Sequence, residues 1–381
     1  MKFTNVHIEN WRNFLNVDFT LQRRAFIVGP NASGKSNLLD VFRFLRDVAA
    51  EVQGGFQQAV NSRGGVSQLR SLHARRYPNV VIDVQVQLNS DPIWGYRLEF
   101  SQDNLRRPFV KREVVKSGDE IILERPDEDD KDDINRLTQT HLEQVNANKK
   151  FRSLAEFFGQ VRYLHIVPQL IREPERSVGK VSDPFGGDFL EQLARTQRLN
   201  KLVFDSRIGR IQEALRVAVP QLKKLVLERD DRGVPHLKGH YEHWRPNAGW
   251  QNEDQFSDGT LRLLGLLWSF LDGTAPLLLE EPELSLHAGV IRHIPQMMAR
   301  IGRKVGRQIL VSTHSSELLS DEGIAPEEVL MLVPSKEGTE VKVAVNDQQI
   351  QALLEGGTTI GEAVLPRTAP RRSEQLSMFG D

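Results

Sequence analysis

Four short stretches of this chain carry residue types that together could bind and cleave a nucleoside triphosphate. The first, Gly29-Pro30-Asn31-Ala32-Ser33-Gly34-Lys35-Ser36, fits G-x-x-x-x-G-K-[ST]. Its glycines let backbone N–H groups close around phosphate oxygens, Lys35 supplies a cation, and the Ser36 hydroxyl can join a Mg2+ shell. Background residue frequencies produce such a match in roughly 1 of 100 chains of this length. The second is Leu277-Leu278-Leu279-Glu280-Glu281-Pro282-Glu283. An apolar strand there ends in adjacent carboxylates, one suited to a Mg2+ shell and the next to orienting or deprotonating water. Alone, an apolar run ending in Glu-Glu reads as a solvated strand end; beside a phosphate loop it reads as chemistry. The third is Phe256-Ser257-Asp258-Gly259-Thr260 before a helix. Ser257 or Asp258 caps that helix, and a capped N-terminus is also an anion site. The fourth is Ser312-Thr313-His314-Ser315 at the end of a short apolar run, where His314 could reach a γ-phosphate.

The elements that must position these groups are legible in outline. Lys2–Ile8, Val17–Leu21 and Ala25–Val28 have strand character, and the last leads into the loop. After the loop, Leu38, Val41, Phe42, Leu45 and Val48 form one helical stripe. Residues 54–76 read as an irregular, Gly-, Ser- and Arg-rich excursion. Alternating runs between Val80 and Arg125 predict an antiparallel meander. Asp127–Asp133, with six acids in seven residues, reads as an exposed loop. Helix is expected over residues 134–158 and 188–218, and a buried strand over Val161–Val167. A hairpin is expected over Leu222–Trp244, turning at Asp230–Gly233. Thr260–Leu271 reads as helix, Leu277–Leu279 as strand, Ala288–Arg303 as helix and Gln308–Ser312 as strand. Residues 328–345 read as a hairpin, and the Pro-, Arg- and Ser-rich tail after Gly361 as disordered.

Composition narrows the classes. The chain has 381 residues, no cysteine and a formal net charge of −1. That excludes disulfide frameworks, zinc ribbons, iron–sulfur clusters and cysteine nucleophiles. There is no apolar run long enough to span a membrane and no secretory signal, so a cytoplasmic location is the expectation. Two segments are locally basic: Arg63, Arg70, Arg75 and Arg76, then Arg195, Arg198, Lys201, Arg207, Arg210 and Arg216. Either could track nucleic-acid phosphates, although solvated helix faces are the commoner reason for such runs. His236, His240 and His243 invite a metal reading, but strand alternation separates His243 from the other two and no carboxylate pattern accompanies them.

The order of the four motifs resembles ABC-type ATPase heads, specifically the RecF/SMC/OLD-like branch within the predicted AAA-family ATPases. Ile8-Glu9-Asn10-Trp11-Arg12-Asn13-Phe14 is similar to that branch's opening strand and N-F-R-N turn, and Glu283–His287 to its E-x-x-x-L-H continuation. The resemblance runs to about residue 345. It implies an α/β P-loop NTPase fold with a mixed and parallel sheet core, an antiparallel β-meander and a helical signature subdomain. The corresponding divisions are 1–125, the N-terminal part of the ATPase lobe with phosphate loop and meander; 126–255, an inserted, mainly helical subdomain; 256–345, carrying the signature, acidic strand and switch histidine; and 346–381, a C-terminal segment and tail. The loop and the acids must meet in one site, which makes the nucleotide domain discontinuous.

By the same resemblance, Gly29, Asn31, Gly34, Lys35, Ser36 and Asn37 hold ATP. Arg12 lies near the nucleotide, and Ser36 and Glu280 serve Mg2+. Glu281 is the catalytic base and His314 the switch histidine. Ser257 and Gly259 reach the γ-phosphate held by a second copy, so the head would form an ATP-sandwiched homodimer. Gln169, in Ile166-Val167-Pro168-Gln169, is the candidate Gln-loop residue, with Gln68 the alternative. Two departures stand out: Glu280 replaces the usual Asp, lengthening its reach, and His287 occupies the neighbourhood of the D-loop aspartate. The implied activity is slow ATP hydrolysis driving a switch in DNA transactions or defence against phage and other foreign DNA. Too few residues follow His314 for a toprim nuclease, so a nuclease or other effector is expected as a separate partner. A RecF-like repair ATPase that binds DNA directly, a soluble transporter ATPase subunit and a regulator that barely hydrolyses are the alternatives. Finally, Gln375-Leu376-Ser377-Met378-Phe379 resembles the bacterial sliding-clamp-binding pentapeptide and would anchor through Leu376 and Phe379.

Overall fold

The computed structural model describes residues 1–52, 54–74, 78–88, 92–173, 185–245 and 248–369. Arg75, Arg76 and the Gln375–Phe379 peptide lie outside them. The chain divides into two compact units. The first comprises Met1–Arg162, Ala275–Leu278 and Gly302–Asp381, and the second Tyr163–Thr274 and Leu279–Ile301. Thus residues 126–162 fall with the first unit and 256–274 with the second, whereas the resemblance divides the chain at 126 and 256.

The first unit holds an antiparallel sheet in the order β2-β1-β4-β5-β6-β7. Its strands are β1 (Lys2–Trp11), β2 (Phe14–Thr20), β4 (Val80–Gln87), β5 (Ile93–Gln102), β6 (Pro108–Ser117) and β7 (Glu120–Arg125). Alternation of β-branched and polar residues gives strands such as β1 and β4 one core face, as the sequence predicts. A second sheet of mixed direction contains β3 (Arg24–Val28), β8 (Arg162–Leu164), β12 (Leu277–Glu280), β13 (Ile309–Thr313), β14 (Val329–Ser335) and β15 (Gly338–Val343). Its order is β15-β14-β3-β13-β12-β8. β13 and β14 flank β3 in parallel, and β15 returns antiparallel to β14. Near-continuous apolar runs such as Ala25–Val28 suit strands buried on both faces.

Helix Lys35–Ala49 belongs to the same unit and buries Leu38, Leu39, Val41, Phe42, Phe44, Leu45 and Val48. That is wider than the single predicted stripe, because the helix is packed on more than one side. Phe42 meets Phe3 of β1 at 4.8 Å between ring centroids, and Phe44 meets both Trp11 at 5.3 Å and Phe100 at 5.5 Å. Each such ring contributes roughly 1.5–3 kcal/mol by burial. The helix that starts at the phosphate loop is therefore fastened to the antiparallel sheet.

The second unit holds a three-stranded sheet, β11-β10-β9, from β9 (Leu222–Arg229), β10 (Pro235–Tyr241) and β11 (Trp250–Gln251). The β9–β10 hairpin is the expected one. Its apolar face, with Leu225, Leu227 and Leu237, joins a core made with helices Phe189–Leu199, Lys201–Ala218 and Asp258–Leu271.

Several local expectations are corrected. Residues 54–76 contain helices Phe56–Asn61 and Val66–Leu69. Residues 134–158 are only partly helical: Ile134–Thr138 and Asn148–Lys150 are 3-10 turns, and the α-helix begins at Arg152. The helix expected at Ala288–Arg303 is split into Ala288–Ile291 and Ile294–Val305, with Pro295 in the opening turn of the second piece, where its missing N–H costs no helical bond. Helix Ile360–Thr368 occupies the start of the segment expected to be disordered, opened by a Thr359–Glu362 capping box. Asp127–Asp133 is not simply an exposed loop. Glu128–Asp132 is a short helix, and Asp130 is only 1% exposed.

The cause is Arg125, fully buried, which donates to Asp130 Oδ2 and Oδ1 at 2.9 and 2.7 Å and to Glu113 Oε2 at 3.1 Å. Burial works against the Asp130 carboxylate, but the Arg125 donors and the Asp127 amide hold its pKa at about 2. Glu113 also accepts from the His141 and Leu142 amides at 2.8 and 3.0 Å, and burial still raises its pKa. One buried cation thus ties the 126–142 segment to the meander. Arg125→Met should leave those acids without their partner and lower stability by about 3–5 kcal/mol. Urea denaturation checks this, and an unchanged midpoint would refute it.

Candidate functional site

The phosphate loop is built within the first unit. β3 ends at Val28, and β13 runs beside it in parallel with Thr313 opposite Val28. The segment after each strand therefore leaves the sheet at the same edge, which brings His314, exposed, next to the loop's start. Gly34 is the N-cap of helix Lys35–Ala49 with φ +98°, a left-handed conformation that favours glycine. A Cβ there would also lie 2.2 Å from the Asn13 side chain. Lys35, 7% exposed, donates from Nζ to the Gly29 carbonyl at 2.9 Å and the Pro30 carbonyl at 3.2 Å. The lysine is folded back over its own loop. The Ser33 Oγ is buried with no hydrogen-bond partner. A glycine-lined loop at a helix N-terminus, a buried lysine donating to loop carbonyls and an orphaned hydroxyl fit a polyphosphate.

Asn13, which the sequence offered only as part of the opening turn, fastens this loop. Its Nδ2 donates to the Ser33 carbonyl and to Thr339 Oγ1, each at 2.8 Å. Its Oδ1 accepts from Asn37 Nδ2 at 2.7 Å. Trp11 Nε1 donates to the Asn37 carbonyl at 2.9 Å. Arg12 donates to Asp40 Oδ2 at 2.9 Å. Asp40 also takes Arg63, whose Nη2 lies 2.9 Å from both Asp40 Oδ1 and Asp47 Oδ2. Burial alone would raise the Asp40 pKa; Arg63, Arg43 and Arg12 together lower it. Arg63 is 6% exposed at its side chain, so it is neither on a solvated face nor open to phosphates, the two readings its basic segment allowed. It is spent holding helix Phe56–Asn61 to the loop's helix.

The second unit carries the acids and the signature. Glu280 ends β12, and Glu281 follows with φ +44°. Tyr163 Oη donates to Glu280 Oε2, and His165 Nδ1 lies 3.2 Å from the Glu280 carbonyl oxygen. Neither Tyr163 nor His165 was singled out in the sequence; the Tyr-Leu-His run before Pro168 has no motif to mark it. Ser257 is the N-cap of helix Asp258–Leu271, its Oγ accepting from Thr260 N–H at 3.2 Å. A Cβ on Gly259 would lie 2.6 Å from the Ser285 carbonyl, so only glycine permits this approach between the signature turn and the Glu283–His287 element. Arg172 donates to the Phe256 carbonyl at 2.7 Å and to Asp258 Oδ1 at 2.6 Å. Burial lowers the Arg262 pKa, against the pull of Asp258 and Glu281. His287 caps helix Ala288–Ile291 by accepting from Gly289 N–H at 3.1 Å. Gln169 is exposed in helix Pro168–Arg172, and Gln68 sits in helix Val66–Leu69 of the other unit. Of the six described non-glycine residues with positive φ, five (Asn10, Arg12, Ala32, Glu281 and Ser285) fall in these motifs. Backbone strain of that kind concentrates at functional sites.

Some sequence-stated groups do other work. His236 Nδ1 lies 2.7 Å from Glu253 Oε1, and Arg207 pairs with Asp272 at 2.8 Å while its guanidinium lies 5.3 Å from the Trp268 ring. No helix among the described residues is long and apolar enough to cross a membrane.

The fold and the loop define a P-loop NTPase of the ABC-head type. Residues 24–320 match the family described as "AAA domain, putative AbiEii toxin, Type IV TA system", and the chain belongs to that family. It is 24% identical over 347 residues to Endonuclease GajA of Bacillus cereus (strain VD045), an alignment covering 84% of this chain and 56% of that protein. The chain thus spans little more than half that relative's length. An Smc head bound to the C-winged helix domain of ScpA superposes with a TM-score of 0.56 at 12% identity, over 90% of this chain and 98% of the other. An Smc head with an extended coiled coil, bound to the C-terminal domain of ScpA derived from Pyrococcus furiosus, gives 0.53 at 12%, over 93% and 99%. At such identities the structural likeness shows the fold alone, that of an ATPase head; together with the family match and the endonuclease relative it supports an ABC-type head of the RecF/SMC/OLD-like branch.

Asn13→Ala removes three hydrogen bonds around the loop and should lower stability by about 1–3 kcal/mol. It should also weaken ATP binding, measured by calorimetry; unchanged affinity would remove Asn13 from the site.

Proposed function

We propose that this protein is a Mg-ATP-dependent switch that closes as an ATP-sandwiched homodimer, hydrolyses slowly and acts in DNA transactions or defence against foreign DNA with a separate nuclease or other effector. The observation that carries the reading is the phosphate loop, with its left-handed Gly34 and a Lys35 ammonium poised on loop carbonyls, in a chain of the AAA family. The endonuclease relative supports the effector and DNA parts of the reading.

In this proposal Lys35 exchanges the Gly29 and Pro30 carbonyls for phosphate oxygens, and Asn31, Gly34 and Asn37 complete the loop's contacts. Bound Mg2+ would screen the β- and γ-phosphate charge, with Ser36 and Glu280 as its protein ligands. Glu281 accepts the proton of the attacking water, and His314 meets the γ-phosphate. Ser257 and Gly259 serve the nucleotide of the second copy. Arg12 and Gln169, with Gln68 the alternative to the latter, are the further proposed nucleotide contacts. Tyr163 positions Glu280: by donating to Oε2 it fixes a side chain one methylene longer than aspartate.

Lys35→Ala should abolish ATP binding. Glu281→Gln should bind ATP, hydrolyse it about 10²–10⁴-fold more slowly and accumulate as a dimer in sedimentation runs. Hydrolysis by Glu281→Gln at the parent rate would overturn the catalytic assignment. Tyr163→Phe should weaken the Mg2+ dependence of fluorescent-ATP binding by about tenfold, and do nothing further in a Glu280→Gln background. Additive losses in the double variant would mean Tyr163 acts elsewhere.

A further inference from the structure

The sheet β11-β10-β9 has a second face that the nucleotide site does not use. Its apolar side chains, Leu222, Leu225, Leu227 and Leu237, are buried in the unit's core. On the other face the register sets Lys224 opposite His240 and His240 opposite Trp250, so three side chains from three strands form one row. The His240 and Trp250 rings lie 4.9 Å apart at 51°. Just beyond the row, the segment after β10 is closed at its base by the Tyr241 amide donating to the Gly249 carbonyl at 2.8 Å. It presents His243, Trp244 and Arg245. The His243 and Trp244 rings stack at 5.7 Å and 24°, and the Arg245 guanidinium lies 4.5 Å from the Trp244 ring. Trp244 is 79% exposed and Trp250 46%.

Two indoles left in solvent need an explanation, since burying such rings is otherwise favourable. The neighbouring charges supply one. The exposed acids beside the row are already answered: Glu242 by Lys223 at 2.8 Å and Glu228 by Lys238 at 2.9 Å. Lys224 and Arg245 are left as excess positive charge beside flat, exposed rings. Aromatic faces for bases, cations for phosphates and an open sheet to lay them on are the requirements for a single strand. A duplex hides its base faces and could use only the cations.

We propose that Lys224, His240 and Trp250, with His243, Trp244 and Arg245, form a binding platform for single-stranded nucleic acid. Bases stack on Trp244 and Trp250, and the backbone follows Lys224 and Arg245. The proposal sharpens the DNA part of the function above, but its geometry owes nothing to ATP, so it is tested without nucleotide.

The test uses the full chain and fluorescence anisotropy with a labelled dT20 strand and a labelled duplex of the same length. The strand should bind at least about tenfold more tightly than the duplex, and quench tryptophan emission. Trp244→Ala with Trp250→Ala should lower strand affinity at least about tenfold, while the Phe replacements at both positions retain most of it. Lys224→Gln should reduce the salt slope of strand binding by about 0.7. Equal affinity for strand and duplex, or unchanged affinity in the double Ala variant, would overturn the proposal. So would a double Ala variant that keeps strand binding but loses self-association in sedimentation runs, which would make the patch a contact between copies. Because no ATP is present, these outcomes stand apart from any failure of the ATPase reading.

Discussion

The parallel pairing of β3 with β13 is the constraint on which the first unit's site depends. Val28 and Thr313 are opposite one another, so the segments that follow them emerge together. A slip of one residue would turn every side chain of β13 to the other face and misplace His314. The pairing joins parts of the chain far apart in sequence, and loop-closure entropy opposes it. What repays that cost is burial: Phe26, Ile27, Val28, Leu310 and Val311 are all fully excluded from solvent. The core therefore sets the register, and the register sets the site.

A second layer of the account concerns rigidity. Gly34 can adopt its left-handed turn, but the turn is held from elsewhere, by Asn13 of the β1–β2 turn, which is itself fixed by Thr339 of β15. Asp40, farther along the same helix, gathers Arg12 and Arg63. The loop is thus framed by polar contacts, and its helix is packed through Phe42 and Phe44 against the Phe3, Trp11 and Phe100 rings. A preformed cradle spends less of its binding energy on ordering itself. The acids of the second unit receive similar support from Tyr163 and His165.

Much of this was readable from residue types, and the limits have physical reasons. Strand alternation from Val80 to Arg125 and the apolar run before Gly29 depend on local periodicity, so the meander and the loop's strand were legible. The turn around Asp230–Gly233 carries its own chemistry and was placed correctly. Asp130 was misread because its burial depends on Arg125 rather than on its acidic neighbours. Arg63 was misread for the same reason: two carboxylates that meet it in space are separated from it in sequence. Tyr163 and Asn13 act through side-chain hydrogen bonds to residues distant in sequence, which no spacing rule announces. The wide burial of helix Lys35–Ala49 likewise follows from what surrounds it, not from its own stripe.

The central claim is that one composite site forms from the loop of one copy and the signature of another. The most direct measurement is a crystal structure of the full chain with Mg2+ and a non-hydrolysable ATP analogue. The account predicts a two-fold dimer in which Lys35 of one copy and Ser257 of its mate contact the same γ-phosphate, with Glu280 on the metal side and Glu281 facing the attacking water. Nucleotide held by the loop of a single copy, with Ser257 of every copy remote from it, would contradict the account.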